Sequence, residues 1–135
     1  MMRLKDKVAI ITGGGKNIGK KIAITFAQEG AAVMIAGRTL SDLEATCSEI
    51  QGKGGKIAFI KADISREEEV QKCVAETINR FGKVDILVNN TGIAGPTVTV
   101  ADMDLSQWNE TLSINLTGSM LCAREVLKHM MPRRT

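Results

Sequence analysis

Short apolar runs alternate with helical patterns along the whole chain, and this alternation limits the fold to the α/β class. The runs at residues 7–12, 32–36, 56–61 and 84–89 are rich in aliphatic and β-branched side chains, which favours buried strands. Apolar residues at helical spacing follow each run, at 18–29, at about 41–50, at 70–81 and from 106 toward 131. Because helical crossovers join parallel strands, the pattern predicts a doubly wound parallel sheet with helices on both faces, ending after its fourth strand–helix unit.

Capping residues predict where three of the helices begin. Ser41 with Glu44, and Ser65 with Glu68, have the spacing of a capping box. Ser106 is the predicted cap of the last helix.

The last predicted helix carries an apolar stripe at helical spacing. The stripe consists of Trp108, Leu112, Leu116, Met120, Ala123, Leu127 and Met130. We interpret its tryptophan and methionines, together with Met131, as packing residues. Asn115 and Gly118 are irregularities in this helix, and Asn115 is predicted to be a buried amide that needs hydrogen-bond partners.

Length and composition exclude several classes of protein. The 135 residues are 44% hydrophobic and 24% charged, which suits one globular domain over 1–135. No long apolar run is present and no apolar stretch follows the basic start, so we expect no membrane span, no secretion signal and a cytoplasmic location. The net charge of +3 is scattered and aromatic residues make up 3%, so no nucleic-acid partner is expected.

Cysteine and histidine usage argues against disulfide bonds and metal sites. Cys47, Cys73 and Cys122 lie far apart and are odd in number, so we interpret them as buried, reduced thiols. His129 is the single histidine, which leaves a zinc site short of ligands. We expect His129 to lie on the surface near the end of the last helix.

A glycine-rich turn, Thr-Gly-Gly-Gly-Lys-Asn-Ile-Gly over residues 12–19, connects the first strand to the first helix. A pyrophosphate needs several backbone N–H groups at close range, so side chains must be absent where the chain approaches it. The positive end of the helix near residues 17–19 also attracts an anion. Gly13 is predicted to allow the tight turn, and Gly19 to allow close contact between helix and strand. The sequence thus predicts a Rossmann-like dinucleotide site that includes Gly13, Gly15, Lys16, Asn17, Ile18 and Gly19.

The spacing of this turn resembles the short-chain dehydrogenase/reductase family, and three further motifs agree in order over roughly residues 4–131. They are Ala-Asp-Ile-Ser at 62–65, Asn-Asn-Thr-Gly at 89–92 and Ser-Ile-Asn-Leu-Thr-Gly at 113–118. The resemblance implies that Asp63 and Ile64 meet the adenine, and that Asn89, Asn90, Thr91 and Gly92 form a wall of the adenosine pocket. It also implies that Asn115 bends its helix, holds a water and supports a catalytic lysine.

Two residues depart from the family motifs. Asn17 occupies the position of a glycine near the pyrophosphate, and asparagine tolerates a left-handed backbone, so we expect binding to be weakened and not lost. Thr91 replaces an alanine, and its hydroxyl narrows the space beside the adenosine.

The end of the second strand predicts NADP(H) in preference to NAD(H). Sites that favour NAD place an acidic side chain there for the ribose hydroxyls, but this chain has Gly37 followed by Arg38. A guanidinium can bind a 2′-phosphate, and Lys16 supplies a second base. One such contact is worth about 1.5–3 kcal/mol, or roughly 10- to 150-fold in affinity.

The sequence contains no tyrosine. The resemblance implies hydride transfer between nicotinamide and a carbonyl or secondary alcohol, with proton transfer by a tyrosine that a lysine four residues later activates. We therefore expect the chain to be the cofactor-binding half of such an oxidoreductase, incomplete at its C-terminus and inactive alone. The expected substrates are 3-oxoacyl thioesters or polyol-type molecules.

Other interpretations remain open on sequence grounds. The chain could be a non-enzymatic dinucleotide-binding or regulatory module. A methyltransferase-like domain fits less well, because the first strand lacks an acidic residue at its end. An open fourth strand and an apolar face on the last helix predict a homo-oligomer.

Overall fold

A computed structural model describes residues 2–134; Met1 and Thr135, which the predicted 1–135 domain includes, lie outside the described part. Four strands alternate with helices. The elements are β1 (Val8–Thr12), α1 (Asn17–Gln28), β2 (Ala32–Gly37), α2 (Leu40–Gly52), β3 (Lys56–Lys61), α3 (Glu67–Phe81), β4 (Ile86–Val88), α4 (Leu105–Leu112) and α5 (Gly118–Arg133). A 3₁₀ turn at Val100–Asp102 precedes α4, and a π-helical segment at Ser113–Thr117 joins α4 to α5.

The four strands form one sheet in the order β3-β2-β1-β4, and every pairing is parallel. Successive residues of β1 point to opposite faces. Ile11 packs with residues of α1 and α2, whereas Ile10 packs with residues of α3 and α5. The predicted parallel sheet with helices on both faces is confirmed.

Two predicted capping boxes are wrong. Helix α2 begins at Leu40, one residue before Ser41, and no side-chain cap precedes it. Helix α3 begins at Glu67, because Ser65 is engaged elsewhere: its N–H and its hydroxyl both donate to Asp63 Oδ1, at 3.0 and 2.6 Å. A serine that bonds within such a turn is not available to cap the helix that follows.

Strand β4 is shorter than the predicted 84–89, and side chains take part in the hydrogen bonding at both of its ends, although the Asp85 N–H still donates to Val8 O at 2.8 Å. Before the strand, Asp85 Oδ2 accepts the Val8 N–H at 2.9 Å. After the strand, the Asn90 N–H donates to the Thr12 hydroxyl at 2.9 Å. The strand pairing therefore covers Ile86–Val88 only.

The last predicted helix is interrupted near its middle. Asp104 is the cap of α4, because its Oδ1 accepts the N–H of Ser106, the residue that the sequence predicts as cap. The π-helical segment is centred on Asn115, which confirms the predicted irregularity. A π turn holds one more residue than an α turn and displaces the side chains that follow it.

Most of the apolar stripe of this region faces outward, contrary to the prediction that its residues are packing residues, whereas Met130 is half-buried and packs against the core as predicted. Trp108 is 49% exposed, Met120 47% and Met131 70%. The buried side of α5 is formed instead by Leu121, Cys122 and Val126. These helices have apolar residues on both sides, and the outward side forms an exposed apolar face of Leu105, Trp108, Leu112, Leu116, Met120, Leu127 and Met131.

Candidate functional site

A cleft of about 370 Å³ lies at the carboxyl ends of the strands, where the predicted site residues converge. Most of the predicted dinucleotide-binding residues line it: Gly13, Gly15, Lys16, Asn17, Ile18, Arg38, Asp63, Ile64, Asn90, Thr91 and Gly92. The carboxyl edge is where open α/β sheets bind ligands. Gly19, Asn89 and Asn115 are not among the lining residues.

The glycine turn has the backbone conformation that its sequence predicts. Gly13 has a φ of +65°, and its N–H donates to Ala36 O at 2.7 Å. Asn17 has a φ of +54°, so asparagine takes the left-handed conformation here in place of glycine. Gly15 lines the cleft without a side chain, and a Cβ there would lie 3.1 Å from Asp42 Cβ. The turn therefore presents backbone to the cleft.

Gly19 positions the turn from outside the cleft. A Cβ at Gly19 would lie 2.0 Å from Gly13 O and 2.5 Å from Asn90 Nδ2. No side chain fits in that space, which confirms the predicted close contact of helix and strand. The Asn90 amide donates to the same Gly13 carbonyl at 3.2 Å.

Thr12 connects the glycine turn to the loop after β4, a role that sequence reasoning missed. Its buried hydroxyl accepts the N–H groups of Asn90 and Thr91, at 2.9 and 3.1 Å, and donates to Val88 O at 3.3 Å. A hydroxyl at the end of an otherwise aliphatic strand was the available signal. Its partners are more than 75 residues away in sequence, so they were not predictable.

Thr46 is a second missed residue, and it supports the turn from α2. Its buried hydroxyl donates to Gly15 O at 2.8 Å. A polar residue on the apolar side of a helix was the available signal for this contact.

Two cations border the cleft with free charged ends. Lys16 and Arg38 are both exposed. Among residues 2–134, no ion pair or side-chain hydrogen bond engages either of them. Two unpaired basic groups at one cleft can bind an anion in solution without breaking an internal contact.

Asp63 lies in the cleft just after β3, and its carboxyl group is held in the charged form. The hydrogen bond from the Ser65 hydroxyl lowers the pKa of Asp63 most, and burial opposes this shift. The positive charge of Arg38 lowers the same pKa further. On the other side of the residue, the Asp63 N–H donates to Glu69 Oε1 at 3.0 Å. Asp63 is therefore a fixed carboxylate acceptor at the cleft.

The predicted wall at residues 89–92 is only partly in the cleft. Asn90, Thr91 and Gly92 line it. Asn89 does not line the cleft, and its side-chain amide turns to α5 and donates to Ser119 O at 3.3 Å. The Thr91 hydroxyl oxygen is buried and has no hydrogen-bond partner among the described residues.

Asn115 binds the loop after β4 through both ends of its amide. Its Oδ1 accepts the Ile93 N–H at 2.7 Å, and its Nδ2 donates to Ile93 O at 2.8 Å. The prediction that Asn115 is buried is wrong, since the residue is exposed. The predicted need for hydrogen-bond partners is met by a single peptide unit.

The cysteines offer no nucleophile to this site. All three are free and buried, as predicted. Burial raises the pKa of Cys73 to about 12 and that of Cys122 to about 11, and it also raises the pKa of Cys47. These thiols stay protonated at neutral pH, and a protonated thiol is a poor nucleophile.

Residues 2–134 contain neither a cluster of metal-binding side chains nor a helix that could span a membrane. No group of three or more His, Cys, Asp or Glu side chains in this range could hold a metal ion. No helix in the same range has both the length and the apolar character needed to cross a bilayer.

Comparison of sequences identifies relatives. The family profile for short chain dehydrogenases matches residues 7–135. A 3β-hydroxysteroid dehydrogenase of Mediterraneibacter gnavus is 36% identical over 98% of this chain, which spans 48% of that protein. Glucose 1-dehydrogenase 2 of Bacillus subtilis is 36% identical over 95% of this chain and 50% of its own length. The chain thus spans about half the length of the curated relatives it matches.

Solved structures agree with the sequence comparison. Levodione reductase superposes with a TM-score of 0.94 at 32% identity, over 97% of this chain and 52% of the reductase. NAD⁺-bound xylitol dehydrogenase superposes with a TM-score of 0.93 at 30% identity, over 97% and 50% of the two chains. A family profile that covers nearly the whole chain, together with these relatives, establishes the assignment. The chain belongs to the short-chain dehydrogenase/reductase family of oxidoreductases.

Proposed function

We propose that the chain is the NADP(H)-binding part of an oxidoreductase that transfers hydride between nicotinamide and a carbonyl or secondary alcohol. The observation that carries the proposal is the cleft itself: a glycine turn that presents backbone, bordered by two unpaired cations, at the carboxyl edge of a parallel sheet. Residues 1–135 then act as a single dinucleotide-binding domain. When bound, the cofactor supplies the hydride donor or acceptor.

The pyrophosphate would bind at the amino end of α1. The N–H groups of residues 17–19 are the first of that helix and lack intrahelical acceptors, and the helix dipole favours an anion there. Gly13 and Gly15 keep side chains away from that approach, and Gly19 keeps the turn against the helix. This arrangement fits a diphosphate better than a bulkier or uncharged group.

The adenosine would bind between the ends of β3 and β4. The Asp63 carboxylate can accept a hydrogen bond from the exocyclic amino group of the adenine. The buried Ile64 gives an apolar surface beside it. Asn90, Thr91 and Gly92 would form the opposite wall. Asn89 would support this wall from outside the cleft, where its side-chain amide binds Ser119 O of α5.

The preference for NADP(H) over NAD(H) follows from Arg38 and Lys16. Both have free charged ends, and Gly37 has no carboxylate to repel a phosphate. A charge-assisted contact at this position is worth about 1.5–3 kcal/mol, or roughly 10- to 150-fold in affinity. The related xylitol dehydrogenase is described with NAD⁺, so the preference needs a direct test.

Catalysis needs groups beyond these 135 residues. The sequence has no tyrosine, so the Tyr-x-x-x-Lys pair of the family does not occur in it. Asn115 would serve as a positioning residue for the catalytic lysine. We propose that this chain binds the cofactor but does not reduce carbonyls alone, and that the whole enzyme acts on 3-oxoacyl thioesters or polyol-type substrates. A non-enzymatic dinucleotide-binding module is the alternative function, and it would bind the cofactor in the same way.

The proposed partner besides the cofactor is a second copy of the chain, docked on the exposed apolar face. Seven large apolar side chains of α4, α5 and the segment between them are exposed there, and large exposed apolar patches often mark protein interfaces. The three buried, reduced cysteines suit the cytoplasm, where disulfides are rare.

Calorimetric titration of the 135-residue chain with NADPH and NADH tests the function. Arg38→Asp should weaken NADPH binding by roughly 10- to 150-fold and change NADH binding much less. Lys72→Asp is the matched control, since Lys72 is exposed on α3 and does not line the cleft. Equal losses for both cofactors would show that Arg38 does not recognise the phosphate. No binding of either cofactor by folded protein would overturn the proposed function.

A further inference from the structure

Asp42 places a carboxylate in the cleft at the end where the two cations lie. The residue is in the first turn of α2 and is half-buried. It lines the same cleft as Lys16 and Arg38. Its Cβ lies 3.1 Å from the position of a Cβ at Gly15, so the base of the side chain packs against the glycine turn. Sequence reasoning did not identify Asp42, because it looked for an acid at the end of β2.

Within residues 2–134, the Asp42 carboxylate takes part in no hydrogen bond and in no ion pair. The other carboxylate of the cleft, Asp63, is already bound by the N–H and the hydroxyl of Ser65. Asp42 is therefore the acid of the cleft whose two carboxylate oxygens are both free to accept hydrogen bonds from a ligand, whereas Asp63 has only its Oδ2 free. It is also free to repel a ligand that is negatively charged.

A carboxylate near the end of the second strand discriminates between the two nicotinamide cofactors. It accepts hydrogen bonds from the 2′-hydroxyl of an unphosphorylated ribose, and it repels a 2′-phosphate. In this chain the end of β2 is Gly37, and the nearest acid in the cleft comes from the helix that follows. The charges of Arg38 and Asp42 thus act on the same part of a bound cofactor in opposite directions.

We propose that Asp42 is a specificity-determining residue that reduces the preference for NADP(H) which Lys16 and Arg38 create, so that the chain also accepts NAD(H). This inference rests on the proposed function of the cleft. Asp42 also lies where a negative charge favours the helix dipole, so a purely structural role predicts a change in stability with no change in cofactor choice.

Calorimetric titrations of the wild-type chain and Asp42→Asn with NADPH and NADH test the inference. Removal of the charge should raise NADPH affinity by about 5- to 30-fold and leave NADH affinity equal or lower. Glu44→Gln is the matched control: Glu44 is exposed on the same helix, does not line the cleft, and loses the same charge. The control should leave the ratio of the two affinities within about twofold of wild type.

Titration with 2′,5′-ADP and ADP isolates the adenosine end, and the same change in ratio is expected with these fragments. Asp42→Ser, which retains a polar residue in the first turn, gives the second variant if Asp42→Asn unfolds. If both cofactors respond alike, or if only the midpoint of thermal unfolding changes, Asp42 does not set specificity. Wild-type protein that binds neither cofactor would refute the proposed function itself, whereas wild-type binding with an unchanged ratio refutes only the role of Asp42.

Discussion

Replacement of Thr12 by valine tests how the two halves of the cleft are joined. Valine keeps the shape of the side chain but removes the hydroxyl that accepts the Asn90 and Thr91 N–H groups. An N–H left without a partner costs about 1–3 kcal/mol. Because both hydrogen bonds are only partly buried, water can reach the freed groups. The lower part of that range therefore applies to each of the two N–H groups. Thr12→Val should therefore lower the free energy of unfolding by about 2–3 kcal/mol.

Urea denaturation followed by circular dichroism measures this loss, with Thr12→Ser as the control. Serine retains the hydroxyl and removes one buried methyl group, which costs about 1 kcal/mol. The difference between the two variants isolates the hydroxyl. Thr12→Val should also weaken NADPH binding, because the loop after β4 loses its attachment to the glycine turn. A valine variant as stable as the serine variant would refute the reasoning.

Two further predictions concern the close contact at α1 and the acid stability of the sheet. Gly19→Ala places a Cβ 2.0 Å from Gly13 O, so the turn must move; we expect a loss of about 2–4 kcal/mol in urea denaturation, with NADPH binding abolished. A folded variant that binds NADPH as wild type does would contradict this. Burial raises the pKa of Asp85, but hydrogen bonds from Val8 N–H, Lys83 and Arg133 outweigh that effect, so its pKa is lowered in the folded chain. The contribution of charged Asp85 to the free energy of unfolding is fully present above the unfolded pKa of about 3.9. It is lost as the pH falls through the lower folded pKa. Asp85→Asn should thus reduce stability at pH 7 by about 1–2 kcal/mol and flatten the loss of stability below about pH 4; an unchanged slope would argue against the role of Asp85.

The features that sequence predicted are local ones. Runs of β-branched residues predicted the strands. The glycine turn was predictable because Gly13 and Asn17 can adopt positive φ values. The missed features depend on contacts between distant segments. Thr12 meets a loop 78 residues away through Asn90, and no property of residue 12 alone identifies that partner.

The predicted helix caps and the packing role predicted for Trp108, Met120 and Met131 were wrong for different reasons. Ser65 had two possible partners, the first turn of α3 and Asp63, and the capping-box spacing did not reveal which one it takes. The last helix has apolar residues on both sides, so its period could not say which side the sheet covers. Trp108 was assigned to packing for that reason, and it is half exposed.

The Asn115 side chain forms the same pair of hydrogen bonds with Ile93 that a residue of a neighbouring strand would form. It offers the Ile93 backbone an acceptor and a donor together. An aspartate would satisfy the N–H but repel the carbonyl, and a leucine would satisfy neither. The choice of asparagine is thus dictated by the complementarity of two amides, independently of any reacting substrate. Replacement of Asn115 would therefore free the loop after β4 whether or not the site turns over a substrate.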